Sequence, residues 1–173
     1  ILFGWAGQGR IWTRPVSFAG AAIVIWHLVN PPVIFNASDG TTATAETVRE
    51  MDSLWQAWQP GMVGQLVDAG QTVFVDVTAA WCITCQANKS LVIEQAPVAS
   101  FIQDLVDSEK LVLLRADWTR PSGDIAAFLA SYQRYGIPFN IVYGPNAKKG
   151  IQLGELLTDE TVLAAVNKAM KER

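Results

Sequence analysis

The sequence is poor in the residues and motifs from which metal, nucleotide and nucleic-acid sites are built. It has one histidine, His27, and two cysteines, which is fewer than the about four ligands that a structural zinc site needs. It also lacks a glycine-rich phosphate loop, a basic stripe and an internal repeat. The formal net charge of −3 argues against a polyanionic partner, so we expect no nucleic-acid binding.

The two cysteines are the most informative residues that are present. Cys82 and Cys85 lie three positions apart, directly after the apolar run 72–77, which predicts a strand. Residues 83–94 contain no glycine or proline and predict a helix whose first turn holds both thiols. Such a pair closes into a disulfide and reopens without rearrangement of the backbone. The spacing therefore predicts thiol redox chemistry.

The two thiols are not expected to be equivalent. The N–H groups and the dipole at a helix N-terminus favour negative charge, so they stabilise the thiolate of Cys82. We therefore expect Cys82 to be the nucleophile. Cys85 lies one turn further in. We expect it to be the more buried thiol, which attacks a mixed disulfide and releases the product.

Three other uses of the cysteines are chemically reasonable. A structural disulfide is disfavoured because a bridge across so short a loop removes little entropy from the unfolded chain. Zinc is disfavoured because His27, the third available ligand, belongs to a separate apolar segment. Binding of Cu(I) by the two soft thiolates remains open, either as a side activity or as an alternative function.

A family resemblance rests on two stretches of the sequence. Residues 73–85, followed by Tyr135-Gly136-Ile137-Pro138-Phe139, look like a thioredoxin-fold domain. More narrowly, they resemble the C-terminal periplasmic domain of the DsbD family of membrane thiol:disulfide interchange proteins. Residues 116–119 and 135–145 resemble most closely the ScsB-like branch of that family, named for suppression of copper sensitivity. The resemblance covers approximately residues 55–170.

The resemblance implies roles for further residues. Asp76 matches the buried acid that lies beneath the cysteine pair and exchanges protons with it. Burial raises the pKa of such a carboxyl, and its charge opposes formation of a nearby thiolate, so we expect Asp76 to restrain Cys82. The alternative is an acid at a strand end whose oxygens are satisfied by the backbone.

Two neighbours of the pair complete the expected site. Pro138 matches the cis-proline that faces the cysteines in this fold, and the backbone of Ile137 would then pair with an extended peptide. An ordinary trans-proline at the start of a strand is the alternative. Trp81 directly precedes the nucleophile and either shields it, contacts a partner or simply packs into the domain.

The sequence also departs from the family pattern. Ile83 and Thr84 stand between the cysteines, where thioredoxin has Gly-Pro. Lys89 lies four residues after Cys85, where other members of the wider family carry an acid. A cation near the pair favours the thiolate, so the elevated cysteine pKa that the family resemblance would imply is not carried over to this chain.

The first 44 residues predict a membrane attachment. Residues 1–35 resemble the end of one apolar membrane span, a short basic turn and one further span. The length of that further span approaches the roughly 20 residues that are needed to cross a bilayer. A signal peptide is the rival interpretation. Residues 36–44 are expected to form a flexible linker. We therefore expect a fragment of a larger membrane protein, with residues 45–173 as the thioredoxin-like domain.

Alternating helical and strand patterns predict an α/β domain with a central mixed sheet flanked by helices. The expected helices cover residues 45–58, 60–69, 83–94, 98–106, 123–135 and a last segment capped at 158–161. The expected strands cover residues 72–77, 111–116, 139–143 and a short edge strand at 151–153, with a turn at 144–146.

Together these features predict a membrane-tethered reductase domain in the periplasm, attached to the bacterial inner membrane. By resemblance, electrons would come from the transmembrane redox domain of the same protein. They would leave to a periplasmic thioredoxin-like protein, to an N-terminal domain or to client proteins. We expect no bound cofactor or metal. A disulfide oxidase or isomerase and a Cu(I)-binding module remain as alternatives, since the sequence does not fix the direction of electron flow.

Overall fold

The computed structural model describes residues 45–170, with side chains from residue 49 onward. The membrane segment expected at 1–35 and the linker expected at 36–44 lie outside the described residues. No helix within the described range is long and apolar enough to cross a membrane.

Helices and strands alternate along the described chain. The helices are α1 (Ala45–Ser53), α2 (Met62–Asp68), α3 (Ile83–Asn88), α4 (Val98–Asp107), α5 (Gly123–Ser131) and α6 (Asp159–Ala169). A single π-helical turn, Lys89–Ile93, continues α3. The strands are β1 (Trp55–Ala57), β2 (Thr72–Thr78), β3 (Leu111–Asp117), β4 (Phe139–Gly144) and β5 (Ala147–Gln152).

The five strands form one mixed sheet in the order β1-β3-β2-β4-β5. The pairs β1–β3 and β2–β3 are parallel, whereas β2–β4 and β4–β5 are antiparallel. The central strand β2 is buried over nearly its whole length, as expected for an apolar run with neighbours on both sides and helices on both faces. The predicted α/β domain with a mixed sheet is therefore confirmed.

Alternate residues of β2 point to opposite faces of the sheet and enter two apolar clusters. Phe74 packs in the first cluster, together with residues of the π-helical turn, α4 and α6. Val73, Val75 and Val77 pack in the second cluster, with residues of α2 and α5. The cysteines belong to neither cluster, since they form a small group of their own at the carboxyl end of β2.

The helix predicted over residues 45–58 is wrong in its second half. Helix α1 ends at Ser53, and Trp55–Ala57 instead pair in parallel with β3. Trp55 packs against the first cluster and Trp58 against the second, so the two rings are on opposite faces of the sheet and not on one helical face. Pairing with β3 provides backbone hydrogen bonds that a local helical pattern does not reveal. The backbone N–H of Trp58 continues this pairing by donating to the Arg115 carbonyl at 2.9 Å.

Three other boundaries differ from the predictions. The helix expected over residues 83–94 changes to a π-helical turn after Asn88. The helix expected over residues 123–135 ends at Ser131, and Gln133 takes a left-handed conformation with φ of 58°. The edge strand expected at 151–153 begins four residues earlier, at Ala147. Its lysine-rich first half becomes a strand because it pairs with β4 through antiparallel backbone hydrogen bonds.

Candidate active site

Cys82 and Cys85 are joined by a disulfide at the start of α3. Cys82 is the N-cap residue, and its Sγ accepts a hydrogen bond from the Cys85 N–H at 3.2 Å. Cys85 lies within the first turn. The sequence produces this geometry locally, because β2 ends at Thr78 and a short loop of residues 79–81 leads directly into the helix.

Both cysteines are buried in the disulfide state. Cys82 is 7% exposed and Cys85 is 4% exposed, so the expected contrast in burial is small here. The clearer difference is position, since only the sulfur of Cys82 caps the helix and receives one of its unpaired N–H groups. A thiolate at that position is stabilised by the same N–H and by the helix dipole.

The loop before Cys82 is anchored on Thr119, which follows β3. The Ala80 N–H donates to Thr119 Oγ1 at 2.9 Å, and the indole N–H of Trp81 donates to the Thr119 carbonyl at 3.3 Å. Asp117 Oδ1 in turn accepts from the Thr119 N–H at 2.8 Å, and hydrogen bonds from Thr119 lower the pKa of Asp117. These contacts hold the Trp81 ring beside the disulfide, where it is 62% exposed.

The segment that precedes β4 lies on another side of the disulfide. Ile137 packs against the small group formed by Ala79, Cys82 and Cys85. The Ile137–Pro138 peptide bond is cis, and Pro138 is buried. The structure therefore brings Ile137 against Cys82 and Cys85, which are more than fifty positions away in the sequence.

Asp76 lies near the carboxyl end of β2 and is buried. It lines a cleft of about 160 Å³ together with Ala79, Gln86, Lys89 and Arg115, among others. Ala79 also packs against the cysteines, and its carbonyl accepts from Gln86 Nε2 at 3.2 Å, so the cleft and the cysteine pair share a wall.

Burial raises the pKa of Asp76 to about 6, because desolvation penalises the carboxylate. The positive charges of Arg115 and Lys89 act in the opposite direction and reduce this rise. The acid therefore titrates close to neutral pH, where it can exchange a proton with a neighbouring group.

Lys89 and Arg115 are both paired with Asp52. The Lys89 Nζ lies 2.9 Å from Asp52 Oδ1, and the Arg115 Nη1 lies 2.7 Å from the same oxygen. Glu94 Oε1 is a further 3.5 Å partner of Lys89. Lys89 is therefore an ion-paired cation that lines the Asp76 cleft.

Sequence reasoning missed three residues around Asp76: Asp52, Arg115 and Asn140. Arg115 and Asn140 are in register with Asp76 on the two neighbouring strands. Arg115 had a visible signal, since it is the one charged residue within the apolar run 111–116. Asn140 likewise interrupts the apolar strand that follows Pro138. Asp52 had no local signal because its partners are 37 and 63 residues away.

Soft or charged metal ligands are not gathered at the cysteines. Within residues 45–170, no group of three or more His, Cys, Asp or Glu side chains is placed to hold a metal ion. Met51 and Met170 pack in or against the first apolar cluster, and Met62 packs against the second.

The model of a thioredoxin-like family matches residues 54–145. The thiol:disulfide interchange protein DsbD of Ralstonia nicotianae is 28% identical over 102 residues, which are 58% of this chain. The matched part is 16% of the length of that relative.

Two solved structures of the Neisseria meningitidis DsbD C-terminal domain are also similar. The reduced form has 17% identity and a TM-score of 0.49, and covers 66% of this chain and 99% of that domain. The oxidised form has 19% identity and a TM-score of 0.47, and covers 72% and 94%.

The family match includes the elements on which the site is built. It begins just before β1, contains the whole of β2, α3 and β3, and ends just after β4. Asp76, both cysteines and Pro138 all lie inside it. The matched range is more than half of the chain, and the chain therefore belongs to the thioredoxin-like family.

Proposed function

We propose that this domain passes reducing equivalents to disulfides of extracytoplasmic proteins by dithiol–disulfide exchange at Cys82 and Cys85. The observation that carries the proposal is the disulfide at the first turn of α3, with the Cys82 sulfur at the N-cap. That position lowers the free energy of a thiolate, which is the nucleophile in disulfide exchange.

The exchange proceeds in two steps from the reduced pair. The Cys82 thiolate attacks one sulfur of the partner disulfide, the partner S–S bond breaks, and its second sulfur leaves as a thiolate that takes up a proton. Cys85 then loses its proton and attacks the Cys82 sulfur, which forms the Cys82–Cys85 disulfide and releases the other partner sulfur. Two electrons pass to the partner, and the domain ends in the disulfide state that the structure shows.

Asp76 provides the proton acceptor for the second step. Its carboxylate accepts the proton of Cys85 across the wall that the cleft shares with the cysteine group. A pKa of about 6 suits this role, since the carboxyl is then able to hold or release a proton near neutral pH. Its negative charge, when present, raises the pKa of the neighbouring thiols and restrains premature attack.

A protein partner fits the surface around the disulfide better than a small molecule does. Exposed apolar side chains are close in sequence to the residues of the disulfide group: Trp81 at 62% exposure and Ile83 at 86% adjoin Cys82, and Tyr135 at 83% is two residues before Ile137. Apolar side chains grouped on a surface favour contact with another protein. Ile137, which packs on the cysteines, provides the backbone along which an extended segment of the partner would lie.

We assign the direction, location and partners by similarity to DsbD. The domain would receive electrons from a transmembrane redox domain of the same protein, at the bacterial inner membrane. It would deliver them in the periplasm to a thioredoxin-like protein or to an N-terminal domain. Membership of the ScsB-like branch, with a role in copper tolerance, belongs to the same proposal. It draws on residues 116–119 and 135–145.

The equilibrium reduction potential of the Cys82–Cys85 pair tests the direction. We expect a reducing potential, since the proposed domain donates electrons. Reductants and oxidants of this class differ by more than about 100 mV, so the measurement distinguishes the two directions. An oxidising potential would instead support the oxidase or isomerase alternative. The pair is equilibrated with glutathione or dithiothreitol buffers, and the disulfide fraction is measured by alkylation.

Cysteine variants test the roles of the two thiols. Cys85→Ala is expected to accumulate a mixed disulfide with a disulfide-bonded protein substrate, because the resolving thiol is missing. Cys82→Ala is expected to form none. Equal trapping by both variants would contradict the assignment. Tight Cu(I) binding at one ion per chain, without any disulfide exchange, would replace this proposal by the copper-binding alternative.

A further inference from the structure

The register of the sheet places a cation directly beside Asp76. Asp76 on β2 pairs with Arg115 on the parallel strand β3, so the two side chains leave the same face of the sheet from neighbouring positions. A buried carboxylate next to a guanidinium ordinarily forms an ion pair. Among the ion pairs of residues 49–170, none joins Asp76 to Arg115 or to Lys89.

The donors of both cations are turned toward a different acid. Asp52 Oδ1 accepts from Arg115 Nη1 at 2.7 Å and from Lys89 Nζ at 2.9 Å. Asp52 belongs to α1, outside the sheet, and these two hydrogen bonds lower its pKa, so it remains ionised. The Arg115 guanidinium also lies over the Trp55 ring at 5.0 Å, which favours the same orientation.

Among residues 49–170, no charged group that lines the Asp76 cleft takes the role of Asp52 in binding Arg115 and Lys89 together. Lys89, Arg115 and Asp117 line its cleft, and Glu94 lies behind Lys89 at 3.5 Å. The cysteine pair is beyond Ala79. Of these groups only the two cations favour the carboxylate, and a direct bond from either would lower the pKa of Asp76 by about 1–3 units.

We propose that Asp52 is a positioning residue of the redox site, which holds the donor groups of Arg115 and Lys89 away from Asp76 and so preserves Asp76 as the proton carrier of the cysteine pair. The functional part of this inference rests on the proposed disulfide exchange. The side-chain partners of Asp52 among residues 49–170 are Arg115 and Lys89, and the cysteines are not among them. Asp52 acts through the two cations that it binds.

The test is a pH titration of Asp76 in the oxidised full chain. The protonation of Asp76 is monitored by the carbon-13 NMR signal of its carboxyl group. In Asp52→Ala, Arg115 and Lys89 lose the acceptor that they share and can bond Asp76, so the pKa of Asp76 is expected to fall by about one unit or more. The acid limb of the pH profile of disulfide exchange is expected to shift in the same direction. Asp52→Glu restores a carboxylate and is expected to behave like the wild type.

A second variant identifies the cation responsible. In Asp52→Ala combined with Arg115→Gln, the main donor is missing, so the pKa of Asp76 is expected to return to at least its wild-type value. If Asp52→Ala does not fold, the isosteric Asp52→Asn is expected to show a smaller fall, because its uncharged amide oxygen still accepts hydrogen bonds from the two cations but holds them less strongly.

Three results would overturn the inference. They are an unchanged or raised pKa of Asp76 in both Asp52→Ala and Asp52→Asn, an equal fall in Asp52→Glu, and a fall that persists when Arg115→Gln and Lys89→Gln are both added to Asp52→Ala. The titration needs no partner protein, so it is independent of the proposed function. A chain that shows the expected titration but exchanges no disulfides would refute the function and leave the positioning effect standing.

Discussion

The two faces of the central sheet are made by the same strands, yet they differ sharply beneath the cysteine pair. On the face toward α2 and α5, side chains stay apolar to the carboxyl end of the parallel strands, as in Val77 and Ala116. On the other face, the apolar row of Leu113, Phe74 and Val142 is followed, two residues along each strand, by a polar row. The polar row consists of Arg115, Asp76 and Asn140.

This difference separates stability from chemistry within one sheet. Burying a polar row is unfavourable unless its groups are paired, whereas the apolar face gains free energy for every side chain removed from water. The polar row lies at the end of the sheet where the disulfide is found, and its members line or flank the Asp76 cleft. The apolar face therefore offsets the cost of the face that carries the acid.

The largest effect is expected from a cavity in the apolar face. Leu114 is fully buried in the second cluster. Leu114→Ala should lower the free energy of unfolding by about 2–5 kcal/mol, measured by urea denaturation. The pKa of Asp76 should not change, since Leu114 points away from the cleft. A loss below about 1 kcal/mol, or a shifted Asp76 titration, would show that the two faces are not separate.

A smaller effect with the opposite sign is expected on the polar face. The pKa of Asp76 is about 6 in the folded state and near 3.8 in the unfolded state, so the folded protein binds the proton more tightly. The contribution of Asp76 to wild-type stability therefore falls as pH rises from about 4 to about 6. Asp76→Asn removes this loss, and its advantage over the wild type should grow by at most about 3 kcal/mol between pH 4 and pH 8.

Denaturation curves of both proteins at several pH values measure this gap. Asp68→Asn is a matched control, because Asp68 is an exposed acid. The gap for that control should stay nearly constant with pH. A constant gap for Asp76→Asn would mean that its carboxyl is not destabilised by burial. In the same variant the pKa of the Cys82 thiol should fall, since a charge that opposes the thiolate is gone.

The smallest effect is expected from a polar pair on the apolar face, formed by Tyr132 and Tyr143. The hydroxyl groups of Tyr132 and Tyr143 lie 2.6 Å apart, and burial together with this hydrogen bond raises the pKa of Tyr143. Tyr132→Phe should cost about 1 kcal/mol of stability. Disulfide exchange per folded molecule should be unaffected. A change in the pH profile of exchange would show that this pair communicates with the redox site.

The elements that sequence analysis predicted well are those with strong local patterns. Short stretches of sequence are enough to predict three of these features: the buried strand β2, the helix start at Cys82 and the cap of α6 at Thr158. The strand β1 was missed because three residues become a strand only when β3 is beside them. The full length of β5 was missed for the same reason, since its lysines and glycine disfavour a strand in isolation.

The sequence alone determined the thiol pair, its place between a strand and a helix, and the thioredoxin-like fold that positions them. These features depend on residue spacing and on hydrogen bonds within one helical turn. Only the tertiary structure decided that Arg115 binds Asp52 and not the adjacent Asp76. Charge pairing of this kind depends on distances between side chains of α1, the π-helical turn and β3, and such distances exist only once the chain has folded.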